Sequence, residues 1–380
     1  MEYQEQQFKY NLKKLYITFL VIILIAAVAL LIKIQIDNQV YTRCEIRDRL
    51  EKVGSANSEF ADYNGNLLCY SMDGISAYDK NGNQLWNQTF QMQNVMVKTA
   101  GDYVVCADYQ GKNLYLIGKK GLVKMIETNL PILSIDVSFQ GIAIAQLQDE
   151  DKVYMEMYAS DGSVITTYRT TMRNFGYPLA YAISADNIKV AVSYLKAIGG
   201  QISTSLAFYN FGGVGQNETD NLVSAFECED EVLPFVTFPK EDIALAVGNH
   251  KIRLFEGKQK PALVKELEQS QEIHALYHNE NYFAIILNSS RGAGSYDAVV
   301  YDLKGNEKIT APIDFDYNDV IVEDNRLIAY NQTDMTIVGY NGVVKYNGEL
   351  SGGVRQIIPM DAYSKFLFVY EDKLEKIRLR

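Results

Sequence analysis

Apolar and polar positions divide the chain into two unlike parts. From Leu15 to Ile32, "LYITFLVIILIAAVALLI" carries no charge and shows no polar face. As a helix this run is about 27 Å long, close to the apolar thickness of a bilayer. The pattern predicts an anchor helix over 15–36, after a short leader at 1–14. A cleavable signal has a shorter apolar region followed by a small-x-small site. Here the run leads straight into Lys33, so an uncleaved anchor is expected. Past a linker at 37–56, the segment 57–380 changes character. Short apolar runs alternate with polar breaks, and no helical period appears.

The breaks repeat. "YDKNGNQLW" at 78–86 returns as "YASDGSVIT" at 158–166, "YDLKGNEKI" at 301–309 and "GYNGVVKY" at 339–346. Asn-Gly and Asp-Gly favour tight hairpin turns in which both central residues take positive φ. Gly82, Gly121, Gly162, Gly213, Gly257, Gly305 and Gly342 mark such turns, roughly 40–50 residues apart. One unit reads as four strands: "NVMVKTA", "DYVVCADY", "NLYLIGK" and "LVKMIE". Four antiparallel strands per repeat predict an all-β propeller. A single blade cannot bury both its faces, so blades must stack into a ring.

Second strands count the blades: "NLLCYSM", "DYVVCADY", "GIAIAQLQ", "NIKVAVSY", "DIALAVG", "YFAIILN", "RLIAYN" and "KFLFVY". Eight blades are favoured, with seven as the alternative. The last unit ends after "KLEKIRL" and lacks a fourth strand. The segment 43–55 is expected to supply it, closing the ring and leaving no open edge.

This arrangement resembles the quinoprotein-like and WD40-like propellers. A short leader, one anchor helix and a degenerate propeller resemble, more closely, an uncharacterised family of membrane-anchored propellers from clostridia and related bacteria. The resemblance covers nearly the whole chain and implies no particular activity. The chain departs from the WD40 pattern: no Trp-Asp ends a blade, no Gly-His opens one, and Trp86 is the single tryptophan.

Charge narrows the partners. The chain carries −11 overall. Setting aside Lys9, Lys13, Lys14, Lys33, Glu2 and Glu5 of the first 36 residues leaves −13 for the body. Such a surface repels phosphate backbones, so nucleic acid is not expected as a partner. The lipid bilayer is expected to hold residues 15–36. Lysines and arginines flank that run on both sides, so the positive-inside count does not set its direction. The short leader favours a cytoplasmic N-terminus and an extracytoplasmic propeller in a cell membrane.

Chemistry leaves few signatures. Cys44, Cys69, Cys106 and Cys228 show no CxxC spacing. Cys69 and Cys106 occupy matching places in two second strands, where other units hold Ala or Val, and read as buried inert thiols. A Cys69–Cys106 disulfide is the alternative. His274 and His278 lack the glutamate of HExxH, and no metal site is expected. "DFDYND" places Asp314, Asp316 and Asn318 like the start of a calcium loop. Asp319 stands where that loop needs Gly and Asn325 where it needs Glu, so the EF-hand reading fails. "ECEDE" at 227–231 and "DED" at 149–151 read as solvated acidic loops. No GxSxG and no phosphate loop appears; "GVGQNE" and "RGAGSYD" read as surface loops. No cofactor is expected.

Propellers bind through loops on one face or in the channel. Connections from second to third strands share a face with those between blades. Three of these are enlarged: 195–203, 288–296 and 171–178. They offer Arg173, Phe175, Tyr177, Lys196, Arg291 and Tyr296, and "FDYN" adds Phe315 and Tyr317. Arg and Tyr are frequent interface anchors. The expected function is non-catalytic: a platform in a cell-envelope assembly that binds an envelope protein or a cell-wall ligand. The alternative is an extracytoplasmic glycan-active hydrolase or quinone-cofactor dehydrogenase, with carboxylates gathered in the channel.

Overall fold

The computed structural model describes residues 2–55, 57–150, 152–171, 176–198, 201–229, 231–360 and 363–380. One helix, Glu2–Asp37, precedes eight four-stranded antiparallel sheets. Seven sheets each use four consecutive strands, at 59–89, 95–127, 132–171, 177–229, 235–268, 273–313 and 319–349. The eighth joins the two ends of the chain: Cys44–Leu50 pairs antiparallel with Leu374–Leu379, outside Lys365–Tyr370 and Val354–Pro359. Register runs from Cys44 opposite Leu379 to Leu50 opposite Leu374. All eight expected second strands are present, and the closing strand lies within the expected 43–55 segment. The eight-bladed reading holds.

Eight apolar clusters hold the ring together, and each lies between two neighbouring blades. Every sheet is therefore covered on both faces. That is why the second strands read as continuous apolar runs rather than alternating ones. Phe366, Leu367, Phe368 and Val369 are all buried, with successive side chains entering opposite inter-blade cores. First strands of successive blades lie side by side around the channel, and Glu59–Tyr63 meets Val354–Pro359 where the ring closes.

The recurrent turn has a chemistry different from the one its dipeptides suggest. Gly82, Gly162, Gly305 and Gly342 take positive φ, whereas the residues before them do not. Strand register shifts beside each of these turns. These are longer hairpins in which a left-handed glycine forms a bulge, not two-residue turns with two positive φ values. The aspartate that opens the loop organises it. Asp79 Oδ1 accepts from the backbone of Asn81 and Asn83, each at 2.8 Å. Asp302 Oδ1 does the same for Lys304 at 3.0 Å and Asn306 at 2.9 Å. The Gly213 turn is a correction. Its connection spans 211–221 with two short 3-10 turns, and Gly213 does not take positive φ.

The segment Lys14–Asp37 is long and apolar enough to cross a membrane, and none of it is buried against the propeller. Its C-terminal end is fastened to blade 7. Asn341 Nδ2 donates to Asp37 O at 2.9 Å, and Lys345 Nζ donates to the same oxygen at 2.8 Å. A cation at the carbonyl end complements the helix dipole. Asn341 lies in a turn from third to fourth strand. The helix therefore leaves the propeller on the face opposite the enlarged loops.

Candidate functional site

Antiparallel order puts connections from second to third strands, and those between blades, at one end of every blade. The expected binding residues share that face but form two clusters, and 195–203 is a correction: strands Lys189–Ile198 and Gln201–Asn210 extend through it, with Lys196 paired opposite Ser203, so it is a long hairpin rather than an enlarged loop. On blade 4, Lys196 sits beside Tyr177. A Cβ on Gly176 would come within 2.9 Å of Lys196 Cγ, and Gly176 has φ +95, so only glycine fits this approach. Lys196 Nζ pairs with Glu227 Oε1 at 3.1 Å. Arg173 and Phe175 lie outside the described residues.

The second cluster joins blades 6 and 7. Tyr296 and Tyr317 meet edge to face with centroids 5.0 Å apart, and both pack with Phe315 on the apolar core between those blades. Arg291 donates to Asp297 at 2.6 Å, to Asp314 at 2.9 Å and to the Tyr296 carbonyl at 2.8 Å. These carboxylates hold the guanidinium firmly protonated. Asp316 accepts from the Tyr296 hydroxyl at 3.1 Å. The "DFDYND" carboxylates thus serve neighbouring side chains. Among the described residues no group of three His, Cys, Asp or Glu is placed to hold a metal.

Two open clefts on this face escaped the sequence reading. The larger, about 960 Å³, lies between blades 4 and 5 and is lined by Ile202, Glu229, Glu231, His250, Lys251 and Glu268, among others. Glu231 is a correction to the solvated-loop reading of "ECEDE". Its side chain is 11% exposed and meets Arg253 Nη1 at 2.6 Å, while its Oε1 is shut from solvent without a hydrogen-bond partner. The second cleft, about 620 Å³, lies between blades 1 and 2 and is lined by Met72, Met96, Tyr70, Tyr109, Glu59 and others. Met72 and Tyr109 are exposed there. Each cleft is built by separate connections of two blades, spread over residues 57–109 in one and 202–270 in the other, so no local motif could reveal it.

Besides Glu59, which lines the cleft between blades 1 and 2, the first strands around the channel carry three carboxylates: Asp62, Asp136 and Asp319. Desolvation raises the proton affinity of each. Asp136 is pushed up to about 6, opposed by the charge of Lys98 on blade 2. Water reaches all three, yet protein surrounds them, the environment of a narrow channel. They stand on blades 1, 3 and 7, so no two are on adjacent blades. On blade 6, His278 Nε2 lies 2.7 Å from Thr237 Oγ1 of blade 5, and burial lowers the imidazole's proton affinity. The four cysteines are free, and Cys69, Cys106 and Cys228 are buried, so the Cys69–Cys106 disulfide is not formed. Burial pushes all three thiols up.

Solved structures share this architecture at low identity. A eukaryotic initiation factor superposes with a TM-score of 0.53 at 13% identity, covering 84% of this chain and 82% of its own. BamB from Moraxella catarrhalis gives 0.50 at 12% identity, covering 88% of this chain and all of its own. These likenesses establish the propeller fold. No curated protein matches the sequence. A family model does match over residues 37–379, which takes in the closing strand and all eight blades, and the chain belongs to that family of unknown function, DUF5711.

Proposed function

We propose that this protein is a single-pass membrane protein whose propeller is a non-catalytic, protein-binding platform. One observation carries the reading: both open clefts lie on the face opposite the anchor. A helix of 24 residues, about 36 Å long, is sufficient for a bilayer core. Tethered at its end, the propeller turns its cleft face away from the lipid. The larger cleft has Glu229, Glu231 and Glu268 against Lys251. This acidic lining suits a donor-rich, basic segment of a partner. The clusters around Lys196 and around Arg291, Tyr296, Phe315 and Tyr317 frame the same face. A cytoplasmic leader and an extracytoplasmic propeller, working in a bacterial cell-envelope assembly, complete the reading.

The channel favours a second reading, a hydrolase, because Asp136 is tuned near neutral pH. Its carboxylates argue against that. Glycoside cleavage needs a second carboxyl group within about 5–9.5 Å, and neither the Asp136 strand nor the first strands of the blades beside it carry one.

A photo-crosslinking residue at Ile202, in living cells, tests the platform. Lys304, in a turn on the anchor side, is the control. A specific protein adduct at 202 alone is expected. Equal capture at both positions, or none at 202, contradicts the proposal.

A further inference from the structure

Large apolar side chains left in water are divided unequally between the two faces of the ring. Among the described residues, Met72, Tyr109 and Ile202 are exposed on the cleft face. Those toward the anchor face are more numerous and follow a rule. Each fourth strand begins at a turn on the anchor side, and its first residues carry them. Leu85 lies at the start of the fourth strand of blade 1, Leu122 and Val123 at that of blade 2, and Val164 and Ile165 at that of blade 3. Ile46 and Val344 hold like places on blades 8 and 7. All of these are 41–60% exposed. Successive strand residues point to opposite faces of a sheet, so packing between blades accounts for neither member of an exposed pair such as Val164 and Ile165. Edge strands ordinarily carry charge at such places, and blade 6 does so with Glu307 and Lys308.

Blades 7, 8, 1, 2 and 3 are consecutive around the ring, so these side chains form one arc. A similar pair on blade 5, Leu263 and Val264, stands apart from it, between the 211–221 connection of blade 4 and the charged rim of blade 6. The arc starts where the anchor ends. Val344 directly precedes Lys345, whose Nζ donates to Asp37 O at 2.8 Å. Residues 38–43 alone separate the helix from the strand of Ile46. They too are tied down: Tyr41 N donates to Lys345 O and Thr42 N to Arg380 O, each at 2.7 Å. No slack linker holds the propeller away from the level at which the helix ends. Ile34 and Ile36, in the last turn of the helix, are exposed, so the apolar surface of the anchor runs up to the rim. Charge agrees with position. On an acidic body, the turns of blades 1 and 2 place Lys80, Lys119 and Lys120 beside the arc. Asp79, in the first of these turns, is taken up by Asn81 and Asn83.

We propose that the anchor-side rim of blades 7, 8, 1, 2 and 3 docks on the lipid bilayer. Its apolar side chains enter the interface, and the lysines beside them reach phosphate headgroups. Continuity selects the bilayer over a protein partner, because the surface that the helix enters is the one the arc already faces. The ring is then held at two places, by the helix and by the arc. Its cleft face is fixed outward instead of swinging on a tether. This surface rests on the membrane anchorage proposed above.

Depth in the bilayer is the test. The full chain, in a Cys44→Ala background, carries a polarity-sensitive fluorophore at Val164→Cys or at Lys304→Cys. It is reconstituted into vesicles of phosphatidylcholine with phosphatidylglycerol, which bear a nitroxide on the headgroup or on the upper acyl chain. At 164 the emission is expected to shift to the blue and to be quenched more by the acyl nitroxide. At 304, on the rim of blade 6, the headgroup nitroxide should quench more. Leu122→Asp with Val164→Asp should lower the ratio of docked to free rim about tenfold or more. That is read as lost acyl quenching of a label at Leu85→Cys, and the melting temperature should hold because both positions are exposed. Water-like emission at 164, equal acyl quenching at 164 and 304, or unchanged quenching at 85 in the doubly charged variant overturns the docking. So does a label at 164 that is shielded yet reached by neither nitroxide and cross-links to a second copy, the result of a protein interface. Alkaline-carbonate extraction of cell membranes separates the two ideas. Release of the wild-type chain refutes the anchorage, whereas firm retention with water-like emission at 164 refutes the docked rim alone.

Discussion

Closure by the first strand can be tested by a covalent staple. Glu45 stands opposite Arg378 on the two outer strands of blade 8, and both lie near or at the surface. Directly opposed strand positions fall within the Cα range a disulfide spans. The perturbation is Glu45→Cys with Arg378→Cys, in a Cys44→Ala background that removes the neighbouring thiol. The bond would close a loop of about 330 residues. Chain entropy for such a loop corresponds to about 6 kcal/mol at 25 °C, and strained engineered bonds deliver as little as about 2 kcal/mol. A propeller of this size has an unfolding entropy of about 0.7 kcal/mol/K at its midpoint, so the staple should raise that midpoint by about 3–8 °C. The assay is thermal unfolding of the detergent-solubilised chain, with and without reductant. A control joins Glu45→Cys to Lys365→Cys. Lys365 pairs with the other side of Arg378, two strand spacings or about 9.6 Å from Glu45, beyond disulfide reach. A stapled chain that melts no higher than its reduced form, or a control pair that bonds equally well, would refute closure by this strand.

Three other predictions follow from the blades. Partial burial disfavours ionised Asp302, but hydrogen bonds from Asn306 and the Lys308 ammonium outweigh it and hold the carboxyl down at about 2. Its folded pKa lies below the unfolded value, about 3.9, so its stabilisation is present above pH 4 and is lost as pH falls toward 2. Asp302→Ala should cost about 1 kcal/mol at pH 7 after solvent screening and markedly less at pH 2, where about half of the carboxyl is protonated; equal costs at both would count against the turn account. Phe208 is fully buried and touches Phe226, Phe238 and Phe255 between blades 4 and 5. Phe208→Ala should destabilise by about 3–5 kcal/mol in urea unfolding, and a cost below about 1 kcal/mol would contradict the packing described. Maleimide should leave Cys69, Cys106 and Cys228 unlabelled until urea unfolds the ring, because thiolates are the reactive form and burial disfavours them; rapid labelling of Cys106 in native protein would oppose that.

The blade count was legible because each second strand is buried on both faces and so stays apolar throughout. The missing fourth strand of the last unit pointed to the N-terminal segment by the same logic. Turn positions were legible where Asp and Gly both occur, as at Asp79 and Gly82. The dihedral pattern was not, since the bulge depends on strand register. At Gly213 the dipeptide misled, because the glycine sits inside a longer connection. Buried charge was invisible. Lys345 caps the anchor, and Glu375, fully buried, takes Arg49 from the closing strand at 3.1 Å and Lys373 at 2.9 Å. Their partners are joined only by the fold. The clefts share that origin, and Glu231 looked like one of several solvated acids until Arg253 stood beside it.

The central claim is that anchor and clefts occupy opposite faces of one ring. Spin labels at Ile202 and at Lys304, in the full chain reconstituted into vesicles, measure it directly through broadening by a paramagnetic lipid headgroup. The account predicts strong broadening at 304 and none at 202. Broadening at 202 equal to or greater than that at 304 would contradict it.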